Sequence, residues 1–130
     1  GAWLAGIFLG SVSMSIHHKL CHVLGGSFDL PHAETHAVIL PHAVASIADA
    51  VPEAMETVRR ALGTEATAAK GLHDLARRVG APTRLADIGM PKEGLDRAAE
   101  LATASPYWTP VPLARTAIRA LLERAFSGQI

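Results

Sequence analysis

Nowhere in this chain do apolar and polar residues alternate for long enough to make a convincing β-strand. Apolar positions recur instead at helical spacing, between proline starts and glycine stops, so the backbone must close its hydrogen bonds within helices. The first helix is expected from about Ala2 to Leu24, ending at the Gly25-Gly26 pair. "SFDLP" is a loop, and Pro31 suits the first turn of a second helix from about His32, which Pro41 interrupts without ending. Pro52 opens "PEAMETVRRALG", closed by Gly63, and Thr64 then caps "EATAAKGLHDLARRVG", which stops at Gly80. "APTRLADIGM" is a connector with one short turn, and Pro91 starts "PKEGLDRAAELATA". The proline-rich loop "SPYWTPVP" precedes a final amphipathic helix, "PLARTAIRALLERAFSG". The fold class is all-α. Composition agrees: 49% of residues are apolar, much of that Ala and Leu, whereas aromatics are only 5%, which favours close-packed helices over a sandwich.

A chain of 130 residues suits one domain with a real core. Its 12 basic and 12 acidic residues balance and leave no patch that would grip a phosphate backbone, so nucleic acid is excluded as a partner. A single cysteine, Cys21, rules out an internal disulfide. The opening "GAWLAGIFLGSVSMSI" lacks the basic start of a signal peptide. It is also too short to span a membrane before His17, His18 and Lys19 arrive. With Gly1, Ala2, Ala5, Gly6 and Gly10 spaced through it, the segment reads as a closely approached, buried helix. The chain is therefore expected to begin inside a domain.

Six of the seven histidines fall within "HHKLCHVLGGSFDLPHAETHAVILPH", residues 17–42. His18 and His22 are four apart and share a helix face; His32 and His36 repeat the spacing on the next helix. If the second helix folds back beside the first, the two pairs face one another. Imidazole is both the commonest metal ligand and a proton carrier near neutral pH. His32 sits in a first helical turn, where free N–H groups and the dipole favour an anion. Other residues of the stretch read as structural. His17 points away from the His18 face, His42 lies far down the second helix, and Cys21 is buried. Lys19, Asp29 and Glu34 read as solvated side chains, and His73 as a surface or packing residue. On spacing alone, His18, His22, His32 and His36 could also make a self-contained four-histidine metal module.

The order His18, His22, Leu24-Gly25, Pro31-His32 resembles the C-terminal helical domain of the iron-containing (group III) alcohol dehydrogenases. The longer wording "HHKLCHVLGG" with "LPHAETHAV" is closer to the maleylacetate reductase branch of that family, and "GAWLAG" and "ALLERAFSG" are in keeping with it. The resemblance implies a helical bundle-like domain of the dehydroquinate synthase-like fold, covering residues 1–130. It implies an N-terminal α/β domain, absent here, that holds NADH or NADPH through a Gly-rich turn; "LGGSF" follows a helix and is no such turn. In metal-binding members the positions of His18 and His32 hold iron or zinc, while that of His22 lies near nicotinamide and substrate. Further ligands come from upstream, and the maleylacetate branch does not depend strictly on metal. The implied function is NAD(P)H-dependent reduction of maleylacetate, a small dicarboxylate, to 3-oxoadipate in aromatic-compound degradation. His22 would give or relay the proton, and His18 and His32 would stabilise the enolate. The resemblance further implies a cytoplasmic homodimer when full-length, no membrane partner, and no activity for this chain alone.

Overall fold

The computed structural model describes residues 15–130, and every regular element among them is helical. The α-helices are α1 (Ile16–Phe28), α2 (His32–Ile47), α3 (Pro52–Leu62), α4 (Ala68–Arg78), α5 (Leu95–Thr103) and α6 (Arg115–Ser127). Short 3₁₀ turns at Ala48–Ala50, Leu85–Ile88 and Lys92–Gly94 link them. The upstream part of the helix expected from Ala2 lies outside the described residues.

Helix α2 is the hub: it packs against α1, α4 and α6, while α5 packs on α6 and α1. The core at these contacts is aliphatic. Leu20 and Leu24 of α1, Val38 and Ile39 of α2, Leu95 of α5 and Leu121 of α6 are all essentially solvent-free. Burying a side chain of this size contributes roughly 1.5–3 kcal/mol. Fully buried Ala98, Ala99 and Ala102 line α5, and their small side chains let neighbouring helices come close.

Most local signals act where they stand. Pro52 occupies the first turn of α3. Gly63, at φ 62, ends that helix, with its N–H bonded to Arg60 O and that of Thr64 to Arg59 O. A residue with a Cβ is disfavoured in this left-handed conformation, which is why glycine closes the helix. Gly80 closes α4 through the same pair of bonds, to Arg77 O and from Ala81 to Ala76 O. Pro41 sits inside α2 without ending it, and the connector holds its one short turn at Leu85–Ile88.

Three boundaries differ from expectation. Helix α1 runs through Gly25-Gly26 to Phe28 and ends at Asp29, which takes the left-handed conformation (φ 53, ψ 37). Each interior glycine costs about 1 kcal/mol of helix propensity. Buried Leu24 before the pair and Phe28 after it, packed against the core, hold the extra turn in place. Asp is one of the few residues with a Cβ that tolerates this conformation. The cap of α4 is Thr67, whose Oγ1 accepts from Lys70 N at 3.2 Å, and not Thr64. The Thr64 N–H is already committed to Arg59 O, so Thr64 belongs to the end of α3; its Oγ1 accepts from Ala66 N instead. After Pro91 the chain first makes the 3₁₀ turn and enters α5 only at Leu95.

Candidate functional site

The turn at Asp29–Pro31 folds α2 back against α1, one of the most extensive contacts of the structure. Pro31, at φ −63, ψ 133, is extended and starts α2; its carbonyl accepts from Thr35 Oγ1 at 2.6 Å and from Thr35 N at 3.0 Å. The turn brings the histidines of both helices together.

His36 stands at the centre of the group. Its ring centroid is 4.3 Å from that of His32, 4.8 Å from His17 and 5.4 Å from His18, and His17 and His18 are 5.2 Å apart. Most of these contacts are edge-on, the arrangement aromatic rings prefer. His17 and His18 are half-buried, and His32 is exposed in the first turn of α2. His18 and His32 therefore flank one imidazole, and both reach the same patch of surface. His22 is exposed one turn further along α1; its ring is outside the close group, though its charge reaches His36. The four-histidine module drawn from the two i,i+4 pairs does not assemble: the His22 ring stands exposed, outside the ring contacts that join His18, His32 and His36.

His17 departs from expectation. It does not point away: its Nε2 lies 3.2 Å from the His36 carbonyl oxygen. A carbonyl can only accept, so Nε2 carries the proton. Burial lowers the His17 pKa, against the raising effect of this bond, and the His18 charge lowers it further. Burial, then the charges of His17, His32, His18 and His22, push His36 down to about 4. At neutral pH the centre of the cluster is an uncharged imidazole, because burial and the neighbouring imidazoles both oppose a further proton there.

Cys21 is buried, and burial pushes its thiol up to about 12. One donor atom each from His17, Cys21 and His36 lie within 4.8 Å of one another, the one three-member group of potential ligands among the described residues. Neither His17 nor Cys21 was singled out by sequence. The available signal was their own i,i+4 spacing, parallel to that of His18 and His22. For the metal that the resemblance implies, His18 and His32 offer two imidazoles, which suit iron or zinc. They stop short of the three protein ligands of a catalytic centre.

A second pair of histidines lies elsewhere on α2. His42 and His73 of α4 are buried, with all four ring nitrogens unpartnered; the Gly128 carbonyl approaches His73 without hydrogen-bond geometry. Burial, with the charges of His73 and Arg124, pushes His42 down to about 4. His42 is structural as expected, and His73 takes the packing half of its expectation. No helix among the described residues is long and apolar enough to cross a membrane.

The sequence pattern described as the Fe-containing alcohol dehydrogenase family, C-terminal, matches residues 1–126. A maleylacetate reductase from Rhizobium sp. (strain MTP-10005) is 58% identical over 98% of this chain. One from Burkholderia cepacia is 57% identical over 98%. The crystal structure of maleylacetate reductase from Agrobacterium tumefaciens superposes with a TM-score of 0.88 at 55% identity, covering 98% of this chain and 36% of that one. The chain spans 36% of the length of the curated relatives.

Proposed function

The chain belongs to the Fe-containing alcohol dehydrogenase family, and from that premise we propose that it is the helical, substrate-handling part of an NAD(P)H-dependent maleylacetate reductase. The observation that carries the proposal is 58% identity to a maleylacetate reductase across 98% of the chain. The dinucleotide is held by the part of such an enzyme that lies outside this chain's span, and the working protein is a homodimer in the cytoplasm.

The chemistry asks for what the cluster offers. Maleylacetate carries two carboxylates and a carbon–carbon double bond conjugated to a ketone. NAD(P)H delivers hydride to one alkene carbon, the π electrons move toward the ketone oxygen, and a proton added at the other carbon completes 3-oxoadipate and NAD(P)⁺. Charge on the ketone oxygen needs donors close by. His18 and His32, flanking neutral His36, fill that role, and the free N–H groups at the start of α2 favour one substrate carboxylate. His22, exposed and free of the ring contacts, would give or relay the proton. In members that carry iron or zinc, His18 and His32 would hold it, and the metal would supply Lewis-acid polarisation of the ketone.

The test is loss of NADH absorbance in the full-length protein with maleylacetate. Turnover is expected in the wild type and should fall in His22→Ala, His18→Ala and His32→Ala. A wild-type protein that oxidises NADH with simple aldehydes but not with maleylacetate would sink the substrate assignment.

A further inference from the structure

We propose that His17, Cys21 and His36 form a site for one borderline-soft divalent ion, zinc or cobalt, with ligands distinct from the His18–His32 pair that it adjoins. His17 and Cys21 are i,i+4 on α1 and share a face, and His36 meets them from α2. Their donor atoms lie within 4.8 Å of one another. A tetrahedral ion with bonds of about 2.0–2.3 Å needs its donors about 3.5 Å apart. Side-chain adjustment of Cys21 and His36 would close that difference while the His17 ring keeps its bond to the His36 carbonyl.

A second observation points to a metal. The Nε2–H of His17 is already held by the His36 carbonyl at 3.2 Å, which leaves Nδ1 as the lone pair. Metal-bound imidazoles almost always give their other N–H to a carbonyl or carboxylate, so the outer support of the site is built in. The donor chemistry is selective: one sulfur and two nitrogens suit zinc or cobalt, and exclude magnesium and calcium, which take oxygen. Binding is balanced by the thiol. The Cys21 S–H bond breaks, an S–metal bond forms, and one proton leaves to solvent per ion bound. Three protein ligands leave a fourth position open to water.

The inference does not rest on the reductase reading, because its test reads bound metal and not turnover. The full-length protein is stripped with chelator and titrated with Co²⁺. A thiolate-to-cobalt charge-transfer band should saturate at one equivalent with release of one proton. The band should vanish in Cys21→Ser, and affinity should fall at least about tenfold in His36→Asn. It should persist in His18→Ala and His32→Ala. ¹¹³Cd NMR of the wild-type protein gives a readout free of folding defects: the resonance should carry the shift of one sulfur with nitrogen donors. No charge-transfer band, a band that survives Cys21→Ser, or a cadmium shift without sulfur each overturns the proposal.

Discussion

The side chain of His17 donates from Nε2 to the backbone carbonyl of His36, 19 residues away, and so ties α1 to α2 beside the candidate site. Replacing His17 with Ala removes a bridging hydrogen bond, which contributes about 0.5–1.5 kcal/mol. It also removes the largest charge acting on His36 after the effect of burial. The expected outcome is a small loss of thermal stability together with a rise of the His36 pKa from about 4, followed by the ring-proton NMR shift of His36 through a pH titration. An unchanged His36 titration would show that the two rings do not sense each other.

In the full-length protein, loss of a proton-transferring group typically lowers the rate by about 10² to 10⁴. His22→Ala is expected to fall in that range in kcat/KM, with His18→Ala and His32→Ala close behind. His73→Ala should leave turnover per folded molecule nearly unchanged and should instead lower the unfolding midpoint, because His73 is buried against α2. Steady-state kinetics beside urea unfolding on the same four proteins separates the two behaviours. Equal, small kinetic effects at His18, His22 and His32 would remove the catalytic assignment.

Acid should destabilise the fold through His42. Its folded pKa is about 4, below the ordinary 6.5, so the unfolded chain binds the proton first. Stability is therefore intact above about pH 6.5 and declines as pH falls from there toward 4, by on the order of 3 kcal/mol for a shift of this size. His73 and Arg124 face the same ring, and burial lowers His73 as well, so its contribution has the same sign. Urea midpoints at several pH values should show the decline in the wild type and a flatter profile in His42→Leu. A profile of identical slope in the variant would clear His42.

Gly94 touches the ring of Phe28 where α1 overruns its expected end. A Cβ there would meet Phe28 Cε1 at 2.6 Å and Pro91 Cγ at 3.2 Å. Overpacking of this kind costs about 1–3 kcal/mol. Gly94→Ala should lower the thermal midpoint, and Phe28→Leu, which withdraws the ring edge, should restore part of the loss when combined with it. Additive losses in the double variant would count against the contact.

The 130-residue chain by itself is expected not to oxidise NADH with maleylacetate, since it carries no Gly-rich turn between a strand and a helix. Absorbance at the NADH band, with a full-length relative as positive control, decides this; robust turnover would mean that a dinucleotide site was overlooked.

What the sequence makes legible follows from range. Pro52, Gly63 and Gly80 act through backbone groups a few residues away, and each works where its chemistry says it should. Gly25-Gly26 misleads because the stop it encodes is overridden by Phe28, whose packing depends on Gly94, more than sixty positions on. Thr64 misleads because its N–H is taken by the preceding helix. At the site, the meeting of His18 with His32 and His36 follows from the expected fold-back of α2, whereas His22, paired with His18 by its i,i+4 spacing, stands outside the close group. His17 is not legible, because where its side chain lands depends on the position of α2 and not on the helical phase of α1. The meeting of His42 with His73 joins two helices through tertiary packing alone and leaves no local mark.

Pro41 stands between the two histidine groups of α2, with His36 before it and His42 just after. Having no N–H, it gives nothing to the carbonyl of Ala37, so the ladder of α2 lacks a rung between its two halves. A helix missing a rung bends there more readily than elsewhere. The rod that presents imidazoles at one end and anchors in the interior at the other is thereby a jointed one. Buried Val38 and Ile39 on one side of the joint, and His42 and Ala43 on the other, seat both halves against the interior.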